Sequence, residues 1–334
     1  MDHGERAGRA LVALFAMQRR SWEQGLAGQA FLDLGRFDLA TVVAADAMAN
    51  QLPDGRLADL GDRNVVNGAA ALEPVLAVAG RATDDALRAA ADRQLRWLLV
   101  DAPRAADGTL MHVLDRRQVW SDSVYMVVPT LVAAGRVDEA ERQLAGHRRR
   151  LEDPATRLFA HIWDEDEQRL TRAVKWGGGN GWVVAGCARA LHLLRRASPT
   201  DPGVLADPVV DRFAAAAADC GRAVIDACLA HRADSGLFPD IVDDATSFEE
   251  VTLAAMLAYG ALTGVADGWL PAAYGAVGRS LLDTAAAHVG DDGLLRPACG
   301  SPTFDRPGIS AEAQACFLMA VAASERSASD GARH

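Results

Sequence analysis

The chain is short of lysine, cysteine and tyrosine, and each shortage limits what it can be. Lys175 is the single lysine among 334 residues, so the basic charge is almost all arginine. Acids outnumber bases 45 to 34, for a net charge of −11, and no basic patch stands out, which argues against a nucleic-acid partner. The five cysteines (Cys187, Cys220, Cys228, Cys299, Cys316) are odd in number, widely spaced and without a CxxC pair. They read as reduced thiols of a cytoplasmic protein rather than a zinc or disulfide framework. No apolar run approaches the roughly 18 residues of a membrane span, so no membrane partner is expected. The N-terminus lacks a basic leader, and its apolar stretch runs into Arg19 and Arg20 instead of a small-residue cleavage site, so no signal peptide is expected. What remains is ordinary globular composition, 50% apolar and 24% charged. Length alone suggests roughly two domains, with a single large barrel as the common exception.

Apolar residues recur at helical spacing of three and four almost throughout. Segments of this kind lie near 5–19, 22–34, 37–51, 64–80, 83–100, 122–135, 137–151, 180–196, 207–230, 248–263, 269–288 and 310–326. The stretch with room for short strands is 157–174, where LFAHIW and RLTRAV flank an acidic turn. Connections near 81–82, 136, 197–206 and 264–268 are short or modest, whereas those near 52–63, 101–121, 152–179, 231–247 and 289–309 are long. Helices joined by tight turns run antiparallel, so the long loops should share one rim. Long ordered loops are usually functional. These carry Trp120, Trp163, Trp176, His112, His161, Asp122 and Asp243, with Trp22 and Trp182 at early helix positions. Tryptophan faces stack on sugar rings and carboxylates handle hydroxyls and protons, so the rim reads as a carbohydrate site.

Four motifs sharpen this. WGGGNGW, 176–182, lacks the GK[ST] and glycine spacing of a phosphate cradle; it reads as a turn starting a helix near Asn180 and aiming two tryptophans at a ligand. In WSDSVYM, 120–126, Ser121 or Asp122 can cap the following helix; capping lowers the acid's pKa and burial beside Trp120 raises it. HIWDEDEQ, 161–168, reads as a histidine followed by a solvated hairpin tip at 165–167, with no metal-ligand spacing. In GLFPDIVDDATSFEE, 236–250, Ser247 reads as a helix N-cap with Glu250 completing a capping box. Its aspartates lie in a loop and not on one helix face, which argues against a magnesium-dependent isoprenoid cyclase.

Taken in order, SWEQG, HxxxxxxxWxDxxYMxxP, HIWDE, WGxGNGW, GLFxDxxDD and SFxExxxAxMxAY resemble the unsaturated glucuronyl and rhamnogalacturonyl hydrolases of glycoside hydrolase families 88 and 105. The resemblance covers roughly residues 20–325. It implies an all-α fold, an (α/α)6 barrel of about twelve helices, here a single catalytic domain over 1–334. It also implies hydration of the enol ether of a 4,5-unsaturated uronyl glycoside, with no metal or cofactor. One aspartate protonates C4 and then activates the water that attacks C5, so the two-carboxylate separation rule of ordinary glycosidases does not apply. By position that aspartate is Asp122, His112 and His161 match histidines that contact substrate, and Trp120, Trp176 and Trp182 match the aromatic lining; Trp22 and Asn180 are expected at the substrate as well.

Two departures stand out. An arginine often occupies the family position of Gly178. The family also has an aspartate before an early glycine, and in GDRNVVNG this aligns with Arg63, with Asp62 shifted by one. Asp62 and Arg63 are therefore expected at the substrate, with Arg63 reading its carboxylate and Arg172 and Lys175 as the other nearby cations. Two alternatives stay open: a repurposed member hydrating or isomerising another enol ether, and a noncatalytic helical carbohydrate-binding protein.

Overall fold

The computed structural model describes residues 3–197 and 207–331. It contains twelve α-helices among the described residues, arranged as two concentric rings. The outer ring is α1 (His3–Met17), α3 (Phe37–Ala49), α5 (Asp85–Arg96), α7 (Val137–Leu151), α9 (Pro208–Leu229) and α11 (Tyr274–Ala287). The inner ring is α2 (Ser21–Asp33), α4 (Leu72–Ala82), α6 (Ser123–Ala133), α8 (Gly177–Ala197), α10 (Thr252–Ala266) and α12 (Ala311–Gly331). Each inner helix packs on the next, and α12 closes the ring against α2, as an (α/α)6 barrel requires.

The residue pattern explains the layering. An outer helix needs one apolar stripe, and α5 buries Leu87, Ala90, Ala91 and Gln94, packs Leu95 partly against the core, and exposes its remaining residues. An inner helix is covered on every side, and α10 is buried continuously from Thr252 to Gly264. Small residues let the inner helices approach closely. A Cβ on Gly186 of α8 would lie 3.0 Å from the Tyr125 Cα of α6, so only glycine fits that crossing without movement. No helix among the described residues is long and apolar enough to cross a membrane.

The connections follow the expected alternation. Those entering α4, α6, α8, α10 and α12 are long, whereas the link from α1 to α2, residues 18–20, and the described ones leaving inner helices are short. The connection expected at 197–206 lies outside the described residues from 198 on. The stretch 157–174 does form strands, β2 (Ile162–Asp164) and β3 (Arg169–Arg172), and they join a third, β1 (Gln118–Trp120), within the connection expected as a loop at 101–121. The antiparallel order is β1-β2-β3, with Trp120 opposite Ile162 and Ile162 opposite Arg172. A second pair, β4 (Phe238–Pro239) with β5 (Glu249–Glu250), braces the loop before α10. Ser247 is not the cap of α10. Its hydroxyl holds the loop through Ile241 and Asp244, and the Glu250 carboxylate caps the helix by accepting from Thr252 and Leu253 N–H.

Candidate active site

The long connections converge at the N-terminal ends of the inner helices, around a cavity of about 310 Å³. That lies at the small end of ligand pockets, which run from roughly 300 to 1,000 Å³. Five inner-ring elements supply its floor. Trp22 comes from the first turn of α2, and Asn67 from the 3-10 segment Asn67–Ala71 leading into α4. Asp122 precedes α6, Trp176 precedes α8, and Glu312 lies in the first turn of α12. Helix N-termini carry partial positive charge, which suits an anionic ligand.

One wall is the small sheet. Trp120, Ile162 and Arg172 sit in register across its three strands and all line the cavity. Side chains alternate between sheet faces, so neighbouring Trp163 points away and donates instead to Glu165. Glu165 is also held by Arg150, so it is not the fully solvated tip that its run of acids suggested. Trp120 stacks on His112, with centroids 4.0 Å apart and planes 5° from parallel, and His161 packs against both Trp120 and Trp176.

Asp122 occupies the N-cap position of α6, yet its side chain makes no cap hydrogen bond. The capping reading therefore does not hold for this acid. Its side chain is 14% exposed, and Oδ1 has no hydrogen-bond partner. His161 Nε2 is 3.8 Å from Oδ1 and His112 Nδ1 is 3.7 Å from Oδ2, both beyond hydrogen-bond distance. Burial raises the Asp122 pKa above the ordinary carboxylate range, with His161 opposing it in part. Burial also lowers the two imidazoles, His112 to about 3 and His161 to about 4. Both are neutral at neutral pH, so neither contact is an ion pair.

The tautomer of His112 follows from its neighbours. Asn64 Oδ1 accepts from Val66 and Asn67 N–H, which leaves its amide Nδ2 facing His112 Nε2 at 2.8 Å. Nε2 is thus the acceptor and Nδ1 carries the proton, aimed at Ser123 Oγ at 2.8 Å beside Asp122. His161 lacks such an anchor, and both its ring nitrogens are without partners.

Of the residues expected here, Asp122, Trp22, His112, Trp120, His161, Trp176 and Trp182 line the cavity together. Three do not. Arg63 points outward, 71% exposed and paired with Asp115. Asp62 is half-buried, outside the lining, and accepts from Asn64 N–H. Asn180 is buried one helical turn below Trp176, where it ties the Phe159 backbone to α8. The residue directly before the early glycine, Gly68, is Asn67, and it is Asn67, not Arg63, that lines the cavity. That adjacency was the available signal. Asn64, Met126, Ile162, Phe304 and Glu312 also line the cavity without having been singled out. Lys175 turns away to Asp153, leaving Arg172 as the cationic residue of the lining.

Gly178 has a steric reason. A Cβ there would lie 2.5 Å from the Trp176 ring, which is held over it by Nε1 donation to Asp240 at 3.1 Å. An arginine at 178 requires the tryptophan to move.

The sequence model described as Glycosyl Hydrolase Family 88 matches residues 15–322. The unsaturated rhamnogalacturonyl hydrolase YesR of Bacillus subtilis (strain 168) is 30% identical over 188 residues, 52% of this chain and 51% of that protein. The matched stretch thus spans about half the length of this curated relative. Among solved structures, a possible family 105 member from Salmonella enterica serovar Paratyphi A superposes with a TM-score of 0.83 at 18% identity, over 98% of this chain and 94% of that one. An unsaturated glucuronyl hydrolase from Bacillus sp. GL1, responsible for glycosaminoglycan degradation, gives 0.68 at 13% identity, over 95% and 94%. At such identities these structures establish the shared barrel fold.

Proposed function

The chain belongs to glycosyl hydrolase family 88, and from that premise we propose that it is a hydrolase of 4,5-unsaturated uronyl glycosides, acting by hydration of the enol ether. In this reading residues 1–334 form one catalytic barrel. A protonated Asp122 delivers its proton to C4, and positive charge develops at C5, shared with the ring oxygen. The Asp122 carboxylate then takes a proton from the water that adds to C5. The hemiketal opens at the ring oxygen, leaving at C1 a hemiacetal that expels the neighbouring sugar. His112 and His161, both neutral, flank the reacting carbons, and the tryptophans bind the sugar faces. The observation that carries the reading is Asp122 itself: a buried carboxyl with raised pKa and an unpartnered oxygen, set in an aromatic cavity. A raised pKa keeps the proton available, and an open oxygen can both deliver and recover it.

The uronate carboxylate needs a cation if it is to be buried. Arg172 takes the role first expected of Arg63. It lines the cavity, and no acid of the described residues lies within ion-pair distance of its guanidinium. A cytoplasmic location belongs to this reading, supported by five buried cysteines that are all free. A second reading, a family member acting on another enol ether, draws support from Gly178 beneath Trp176 and from Asn67 before the early glycine.

Asp122→Asn tests the first reading. The amide keeps the shape but cannot move the proton, so turnover falls by at least about 10²–10⁴-fold. Loss of ultraviolet absorbance from the conjugated acid reports turnover, with circular dichroism as the folding control. Retention of more than about a tenth of the activity removes Asp122 from the role. Preference for the uncharged methyl ester over the uronate favours the second reading.

A further inference from the structure

We propose that Glu312 is a specificity-determining acid of this cavity: it engages substrate as the carboxylic acid, Oε2–H donating a hydrogen bond to an acceptor oxygen of the bound uronyl glycoside. This rests on the substrate reading above and adds a residue to it. Glu312 is 3% exposed and lines the cavity. Its two oxygens are treated differently. Oε1 accepts from Trp22 Nε1 and from Ser301 N–H, each at 3.2 Å. Oε2 is buried and has no partner. In a carboxylic acid the carbonyl oxygen accepts and the hydroxyl donates. Two N–H donors mark Oε1 as the carbonyl, which leaves Oε2 as the hydroxyl. Gly300 makes room beside it, since a Cβ there would lie 2.8 Å from Oε2.

The surrounding charges agree. Glu23 of α2 is the nearby acid, itself paired with Arg19 at 3.1 Å, and Arg19 also donates to the Ser301 carbonyl at 2.9 Å. Cys316 lies one turn along α12, and its thiol is pushed up by burial and by Glu312. Asp122, His112, His161 and Arg172 share the lining. No cation among the described residues lies within ion-pair distance of Glu312. Burial, with Glu23 adding to it, pushes the Glu312 carboxyl up to about 7 against the N–H donors. An ionised Glu312 would repel a uronate, whereas the neutral acid can donate to it. Substrate affinity is then linked to one proton.

The experiment uses Asp122→Asn enzyme, whose position 122 no longer titrates, and an unsaturated galacturonyl–rhamnose disaccharide. Binding is followed by calorimetry and tryptophan fluorescence between about pH 5 and about pH 9. The two histidines stay neutral across this range. With Glu312 present, Kd should climb by up to about tenfold per pH unit above about pH 7. Adding Glu312→Gln should give a flat profile near the low-pH affinity, because the amide donates at every pH. Calorimetry at about pH 8 in buffers of different ionisation heat should show uptake of up to about one proton on binding, which needs no Glu312 variant. A flat Kd with Glu312 present, no proton uptake, or weaker binding in the glutamine variant at low pH would overturn the role of Glu312 and leave the substrate reading standing. Failure of the disaccharide to bind at any pH would overturn both.

Discussion

Two clusters of buried titratable groups in the barrel are built to opposite rules. At the Arg189 cluster every group is matched. The guanidinium donates twice to Glu73, at 2.6 and 2.7 Å, twice to Asp33, at 3.1 and 3.4 Å, and once to Tyr259 Oη. This ties α8 to α2, α4 and α10. At the Asp122 cluster the valences are left open: Asp122 Oδ1, both nitrogens of His161 and Glu312 Oε2 have no partner. A buried polar group without a partner costs stability, so it persists where something else repays the cost. The closed cluster fixes the geometry of the inner ring, and the open one is set up for a ligand.

The comparison can be broken from either side, at the Arg189 cluster or at the cation that borders the open one. Arg189→Ala leaves two buried acids unpaired and should cost about 3–5 kcal/mol of stability, read by urea unfolding. A loss below about 1 kcal/mol would show that the cluster is not structural. Next in size, Arg172→Ala should lower kcat/KM for the uronate by about ten- to 150-fold with little effect on its methyl ester. Arg63→Ala, which removes an exposed pair with Asp115, should leave both rates nearly unchanged. Equal losses on acid and ester would dismiss Arg172 as the carboxylate reader.

The smallest effect concerns stability at the open cluster. Burial raises the Asp122 pKa above its unfolded value, so the native state holds the proton more tightly. Stability is therefore lost as pH rises from the unfolded pKa through the folded one. Asp122→Asn escapes that loss and should melt at or slightly above wild type at both about pH 4 and about pH 8, with the larger gap at about pH 8. A variant that melts well below wild type at both would place Asp122 with the structural charges.

The helices were legible because each ring has its own pattern, amphipathic outside and apolar throughout inside. The shared rim followed from loop lengths, and the aromatic and histidine lining from the residues those loops carry. What stayed hidden depends on direction. Asp62, Arg63 and Asn64 are consecutive, yet only Asn64 reaches the cavity, and nothing in their spacing says which. Asn180 falls four residues after Trp176, and helical geometry turns it towards the Phe159 backbone. Strand β1 spans three residues and forms only through pairing with β2, more than forty positions later. Glu312 belongs to the site through Trp22, 290 positions away, a contact no local motif records.

The central claim, that Asp122 drives addition of water to the double bond and not direct cleavage at C1, is tested most directly by time-resolved proton NMR. The vinylic proton at C4 of an unsaturated uronyl disaccharide would be followed together with the anomeric signals of the released sugar. Hydration requires the vinylic signal to disappear no later than the free sugar appears, and both changes to stop in Asp122→Asn. Accumulation of free uronic acid with its double bond intact, or continued release by the Asp122→Asn enzyme, would contradict it.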